Sequence, residues 1–217
     1  MPEAVLFSQM QPGAEWEGEF NEWYDREHVP VRLALPGFLG ARRYAAVEGS
    51  PKYAVAYYLA GLGALDTPGY RQLKQSPGER TARMLASVTG FTRYVAEEIR
   101  RFVRPGADAD PLAAPYLYAV GFAVPPDRDE AFNRWYDEDH CPLLLEHPHW
   151  WQIRRYRIST GTPGRWTHLA LHYLGDLAAM SSPERARARQ TPWRARLAAE
   201  PWFAPQYAVY RGLPASW

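Results

Sequence analysis

The chain has 217 residues and carries 25 Lys and Arg against 24 Asp and Glu, a formal charge of +1 at pH 7. That balance leaves no electrostatic footprint for nucleic acid, no apolar run is long enough to span a membrane, and Met1 to Met10 lack the basic-then-apolar pattern of a secretory signal. The single cysteine, Cys141, excludes an intrachain disulfide, and together these features predict a cytoplasmic protein with neither nucleic-acid nor membrane partners.

Ala4 to Ser8 is a short apolar run and reads as a first strand. Pro12-Gly13 punctuates it, and Glu15, Glu17 and Glu19 then lie where a helix N-terminus favours negative charge. The pattern predicts a helix from Ala14 to His28, ended by Pro30, which cannot donate the next backbone bond. The loop Ala34-Leu35-Pro36-Gly37 leads into a strand from Phe38 to Val47, and a further strand follows at Tyr53 to Leu59. A second helix spans about residues Thr67 to Ser87, and a last strand Phe91 to Ala96. Arg104 to Pro111, rich in Pro, Gly and small residues, reads as a linker.

The same order then recurs. Phe20-Asn21-Glu22-Trp23-Tyr24-Asp25-Arg26-Glu27-His28-Val29-Pro30 is answered by Phe132-Asn133-Arg134-Trp135-Tyr136-Asp137-Glu138-Asp139-His140-Cys141-Pro142, displaced by 132 − 20 = 112. The same displacement carries Pro36 to Pro148 and Arg42-Arg43-Tyr44 to Arg154-Arg155-Tyr156. Asp127 to Glu130 has the spacing of a capping box at the second helix start. Strands are expected at Trp150 to Ile158, Trp166 to Leu174 and Phe203 to Tyr210, with a helix from Ser182 to Glu200. A fixed displacement of this kind implies two similar modules. The predicted class is α+β: two fused ferredoxin-like β-α-β-β-α-β modules, residues 1–105 and 114–217, joined by a linker at 106–113. Their sheets are expected to pack into a pseudo-dimeric α+β barrel, so the chain is expected as a monomer, or as a homodimer paired through other surfaces.

Alternation along the third strands separates two sets. Tyr53, Val55 and Tyr57 correspond to His168, Ala170 and His172, and Ala54, Ala56 and Tyr58 to Leu169, Leu171 and Tyr173. Period two places each set on one face. The small and apolar second set is expected under the helices, and the first on a chamber wall shared by the two sheets. The 9 Trp, 14 Tyr and 8 Phe supply apolar area that lines pockets for flat ligands.

At three residues' separation on a helix, Asp25 and His28 share a face, as do Asp137 and His140. A carboxylate beside an imidazole fixes its tautomer and suits a general acid or base; the plainer reading is a histidine that caps the helix C-terminus. Tyr24 and Tyr136, four residues before the histidines, add a hydroxyl to the same place. Arg43 and Arg155 suit a planar substrate oxyanion, or else a salt bridge to Asp25, Glu27 or their equivalents. No zinc signature is present, no metal site is expected, and no phosphate loop, dinucleotide fingerprint or nucleophile elbow occurs. Cys141 stands where the first module has Val29 and reads as a small buried residue.

The motif Trp-Tyr-Asp-x-x-His-x-Pro followed by Pro-x-x-x-x-x-Arg-Arg-Tyr, present in both halves, resembles the dimeric α+β-barrel superfamily and most closely its EthD-like branch. That resemblance covers nearly the whole chain. It implies the fold above and a range of activities among polyketide cyclases and dehydratases, muconolactone-isomerase-like proteins, small monooxygenases and haem-handling enzymes.

The reading that follows is a cofactor-independent enzyme acting by cyclisation, dehydration, isomerisation or decarboxylation on a small hydrophobic, aromatic or polyketide-like molecule. His140 is the expected acid/base and Asp137 its orienting partner; Tyr136 and Arg155 polarise a substrate oxygen, with His168 and His172 as further catalytic candidates. Trp150, Tyr53, Tyr57, Arg43 and His28 are expected to line binding surfaces. The alternatives are a non-catalytic carrier of a hydrophobic ligand and a haem- or oxygen-dependent oxidase or monooxygenase. Because the first module has Tyr53 and Tyr57 where the second has His168 and His172, and Gly37-Phe38 where the second has His149-Trp150, proton transfer is expected in the second half.

Overall fold

A computed structural model of the chain describes residues 3–48, 50–215 and 217. The strands are β1 (Ala4–Gln11), β2 (Phe38–Glu48), β3 (Tyr53–Leu59), β4 (Thr89–Val103), β5 (Tyr116–Phe122), β6 (Trp150–Thr162), β7 (His168–Leu174) and β8 (Gln206–Gly212). They close into one antiparallel barrel in the order β1-β3-β2-β8-β5-β7-β6-β4. Within that ring the N-terminal half contributes β4-β1-β3-β2 and the C-terminal half β8-β5-β7-β6, the same order of pairing in each. The halves meet where β2 pairs with β8 and where the long β4 pairs with β6 from Arg93↔Thr162 to Val103↔Gln152. Among the described residues no helix is long and apolar enough to cross a membrane.

Helices lie against the outer face of the barrel. In the N-terminal half α1 (Glu17–Trp23) runs through a π turn, Tyr24–His28, into α2 (Val29–Leu33). In the C-terminal half α5 (Asp129–Trp135) runs through Tyr136–His140 into α6 (Cys141–Leu145). The helix therefore does not end at Pro30. Both prolines come just after the widened turn, and the backbone stays helical through His28 and His140, so each proline removes one N–H without ending the helix. The expected capping box is also absent: the Asp127 side chain caps neither the 3-10 turn Pro126–Arg128 nor α5. The second helices are each broken in two, α3 (Pro68–Gln75) with α4 (Glu79–Ser87) and α7 (Pro183–Ala188) with α8 (Pro192–Ala198). Pro77-Gly78 and Pro192 account for the breaks, since proline cannot continue the i→i−4 ladder.

The alternation along β3 and β7 holds, but its expected orientation is reversed. Ala54, Ala56, Tyr58, Leu169, Leu171 and Tyr173 face the barrel interior, packed with Tyr44, Tyr156 and Tyr210. Tyr53, Val55 and Tyr57 instead pack beneath the helices on Phe20, Trp23 and Tyr24, as Ala170 does on Phe132 and Trp135. Every residue of both strands is buried, so hydrophobicity could not tell one side from the other. These side chains fill the middle of the interior, and a cavity lined by Gln9, Thr92, Ala119, Trp166 and Ala208 remains towards one end. Some of the interior's polar atoms find partners in place: Tyr58 Oη lies 3.1 Å from Tyr173 Oη, and Gln9 Nε2 donates to Tyr210 Oη at 2.7 Å, whereas the buried hydroxyls of Tyr94 and Tyr156 have none.

Candidate active site

The cleft that the expected residues lead to lies outside the barrel, between the C-terminal half's sheet and its helices. Tyr118, Val120 and Phe122 of β5 form its floor; Trp135, Tyr136, His140 and Leu144 line one wall and Trp150 its inner end. Phe203, Pro205 and Tyr207 close the far side, and Arg185, Arg189 and Arg194 stand over it. About 70 Å³ of it admits the centre of a water-sized sphere, and with the open solvent at its mouth the empty space is about 540 Å³.

The π turn sets the geometry. Cys141 N–H donates to Tyr136 O, five residues back, as Val29 N–H does to Tyr24 O. A turn widened in this way keeps residues four apart on one face and rotates residues three apart away from each other. Tyr136 and His140 are therefore neighbours, with ring centroids 5.1 Å apart. Asp137 points elsewhere. It pairs with the buried Arg155, whose second Nη also donates to Asn133 Oδ1 at 2.6 Å. Asp25, Arg43 and Asn21 repeat that cluster in the N-terminal half. Asp137 is thus not the partner of His140, and neither Arg43 nor Arg155 faces a ligand space. The arginine stacks instead on the tyrosine of the turn, Arg155 over Tyr136 at 4.4 Å and Arg43 over Tyr24 at 4.6 Å, and braces it.

His172 is fully buried behind Tyr136, and its tautomer is set by its neighbours. Trp150 Nε1, which can only donate, points at His172 Nδ1 at 3.2 Å. Nδ1 is therefore the acceptor and Nε2 carries the proton. Nε2 lies 2.9 Å from Tyr136 Oη, so the phenol oxygen accepts from histidine and its own hydrogen is left to point into the cleft. Burial, then the nearby His140, Arg155 and Arg185, hold the His172 pKa well below its usual value, so the ring stays neutral. Burial also holds the Tyr136 pKa well above that of a free phenol.

His140 Nδ1 lies 3.3 Å from the Ala188 carbonyl, which can only accept, so Nδ1 is the protonated nitrogen and Nε2 carries the lone pair. Burial lowers the His140 pKa to about 3, opposed by the Ala188 bond and aided by Arg194, Arg155 and Arg185. The cleft thus holds a phenol donor beside a neutral imidazole acceptor.

The other expected residues lie apart from the cleft. His168 packs on Phe132 at 5.2 Å; its Nδ1 lies 3.0 Å from Thr167 Oγ1, and its Nε2 is 3.1 Å from Asp129 but off the hydrogen-bond direction. Tyr53 Oη donates to Glu17 and accepts from Asn21. His28 and Tyr57 are buried in the core of the N-terminal half. There Arg32 takes the position of Leu144, hydrogen-bonding His28 O at 2.7 Å and lying over Tyr57 at 6.0 Å. Tyr70, packed 5.7 Å from Phe38, fills further space. Sequence reading missed Tyr118, Tyr207 and the three arginines; the recurrence of Arg at 185 and 189, four apart on one helix, was the available signal. Among the described residues no group of three or more His, Cys, Asp or Glu side chains is placed to hold a metal ion.

Neither protein-family models nor curated proteins match this chain. Solved structures do. An anthrone oxidase-like protein superposes with a TM-score of 0.71 at 14% identity, over 98% of this chain and 92% of that one. A monooxygenase-like protein from Lactobacillus acidophilus gives 0.60 at 7% identity, over 98% and 94%. A chlorite dismutase variant from Candidatus Nitrospira defluvii gives 0.63 at 10% identity, over 98% and 91%. This chain shares the fold of these structures.

Proposed function

We propose that the C-terminal cleft binds a small aromatic or polyketide-like molecule and transfers a proton on it without a cofactor. The observation that carries this reading is the relay from Trp150 through His172 to Tyr136, which leaves a phenol hydrogen free beside the unprotonated Nε2 of His140. Tyr136 would donate to a substrate carbonyl or phenolate oxygen, and His140 would take the proton from the adjacent carbon acid or hydroxyl. Tyr118, Trp150 and Phe203 would hold the ring system. Cyclisation, dehydration, isomerisation and decarboxylation all begin or end with such a transfer.

The test does not depend on the identity of the natural substrate. Phenols, anthrones and cyclic β-dicarbonyl compounds are incubated with the protein in deuterium oxide, and exchange at the acidic carbon is followed by NMR. Protein-dependent exchange is expected, lowered about 10²-fold in His140→Ala. A non-catalytic carrier would bind these compounds and exchange none of them.

A second reading, a haem- or oxygen-dependent oxidase or monooxygenase, draws support from the names of the structural neighbours. Iron ligation needs an imidazole lone pair. His172 has both nitrogens engaged, which leaves His140 Nε2 as the nitrogen that would hold the metal. Titration with haemin separates the readings: a Soret band lost in His140→Ala favours haem.

We further read the chain as two fused ferredoxin-like modules of the EthD-like type, at 1–105 and 114–217, acting in the cytoplasm as a monomeric pseudo-dimer. The matching strand orders and the recurring Asn-Asp-Arg cluster support this reading. Light scattering tests the oligomeric part.

A further inference from the structure

Arg185 and Arg189, four apart along α7 and its C-terminal end, and Arg194 of α8 converge over one side of the cleft. Arg185 Nη1 donates to the Met180 carbonyl at 2.7 Å and Arg194 Nη1 to the Arg189 carbonyl at 3.2 Å. Among the described residues none of the three has a carboxylate within ion-pair distance. Their neighbour Arg187, on the other side of α7, is paired with Glu146. Burial, then the charges of Arg189 and Arg185, lowers the pKa of Arg194, as expected of crowded like charges.

The N-terminal half shows that the cluster is not a demand of the fold. The caps Thr67 and Ser182 begin α3 and α7, and three residues on stand Tyr70 and Arg185. The caps Gly78 and Thr191 begin α4 and α8, and three residues on stand Thr81 and Arg194. Tyr70 and Thr81 serve packing there, Thr81 by accepting from Trp23 Nε1 at 3.2 Å. The basic residue Arg80 of that half is paired with Glu27, Glu19 and Glu22. Among the described residues the N-terminal half also holds cations with no carboxylate partner, Lys74 at the position of Arg189 and Arg32 over Tyr57, but three that converge on a cleft are found in the half that holds Tyr136 and His140.

We propose that the cleft selects an aromatic carboxylate, with the carboxylate held at its mouth by Arg185 and Arg194 and assisted by Arg189. This rests on the assignment of the cleft as the substrate site. Arg185 lies over the Tyr118 ring at 5.8 Å and Arg194 over Phe203 at 5.6 Å, so each guanidinium stands above a ring that would flank the ligand. A flat molecule on Tyr118 and Phe203 presents an edge carboxylate to both forks, the geometry that favours Arg over a point charge.

The test is titration of the whole chain with naphthoate and with naphthol at pH 7, with the heat of binding read by calorimetry. Naphthoate is expected to bind about tenfold or more tightly than naphthol, the ratio that one charge-assisted hydrogen bond supplies. The double substitution Arg185→Gln, Arg194→Gln should bring that ratio to about one by weakening naphthoate alone, while Arg187→Gln leaves it unchanged. Equal affinity of the two probes for the unaltered protein would overturn the carboxylate preference while leaving the cleft as the binding site. Binding of neither would overturn the cleft assignment as well. Melting temperatures of the variants establish that each is folded.

Discussion

Tyr136 Oη and His172 Nε2 lie 2.9 Å apart, and the proton between them belongs to the histidine because Trp150 occupies its other nitrogen. Among the described residues nothing is placed to accept from this hydroxyl. Substituting Trp150→Phe removes the group that fixes the tautomer and leaves His172 Nδ1 an unpartnered buried acceptor. Deuterium exchange on a carbon-acid ligand should fall roughly tenfold, about 1.4 kcal/mol. Full exchange in a folded Trp150→Phe protein would detach the tryptophan from the site.

Asp137 holds a buried cation. Asp137→Ala leaves the guanidinium of Arg155, 2% exposed, without its carboxylate. Because Asp137 is partly exposed, the loss should lie near the lower end of the range for a broken buried pair, about 3 kcal/mol, or roughly 6–12 °C in melting temperature for a chain of this size. The pH profile of exchange per folded molecule should not move. A shifted profile with an unchanged melting temperature would restore Asp137 as the partner of His140.

The expectation that failed at Asp137 shows where the sequence stops being legible. Phe20 to Tyr44 and Phe132 to Tyr156 told of recurring elements and of a tyrosine and a histidine on one helix. They did not tell that the turn between them is π, and that difference moves Asp137 away from His140 and Tyr136 toward it. Alternation in β3 and β7 was readable, but with both faces buried the side was not. His168 and His172 share a strand face and yet only His172 touches a residue of the cleft, Tyr136, whose helix covers that end of β7 while Phe132 covers the other. The cationic rim depends on how α7 and α8 break, and no repeat of motif announced it.

Stability should fall as the solution is acidified. Burial is the leading cause of a lowered pKa at His28, His140, His168 and His172. Such a histidine takes up its proton in the unfolded chain first, near pH 6.5, and in the folded protein only at lower pH, about 4 for His168. The unfolded state therefore binds more protons between those values, and the melting temperature should decline steadily from about pH 7 to pH 5. A melting temperature that is flat or rising over that window would contradict the neutral assignment of these rings.

Relief of repulsion at the cleft mouth should raise stability. Arg185 and Arg189 are like charges at i and i+4, and Arg189→Gln removes one of them. In the absence of ligand the melting temperature should rise by about 1 °C at low salt, and the gain should vanish in high salt. A loss of stability would mean that Arg189 has a partner which offsets the crowding.

The central claim is that Tyr136 donates a proton toward a ligand oxygen in the C-terminal cleft. It is tested most directly with a hydroxynaphthoate whose hydroxyl and carboxylate lie on opposite rings. The pKa of the bound phenol is read by absorbance in the unaltered protein and in Tyr136→Phe. A donor aimed at the oxygen stabilises the phenolate, so the bound pKa should drop by about one unit or more below that of the free compound, some 1.4 kcal/mol, and the drop should disappear in Tyr136→Phe. A bound pKa at or above the free value, or a drop that survives the loss of the hydroxyl, would contradict the account.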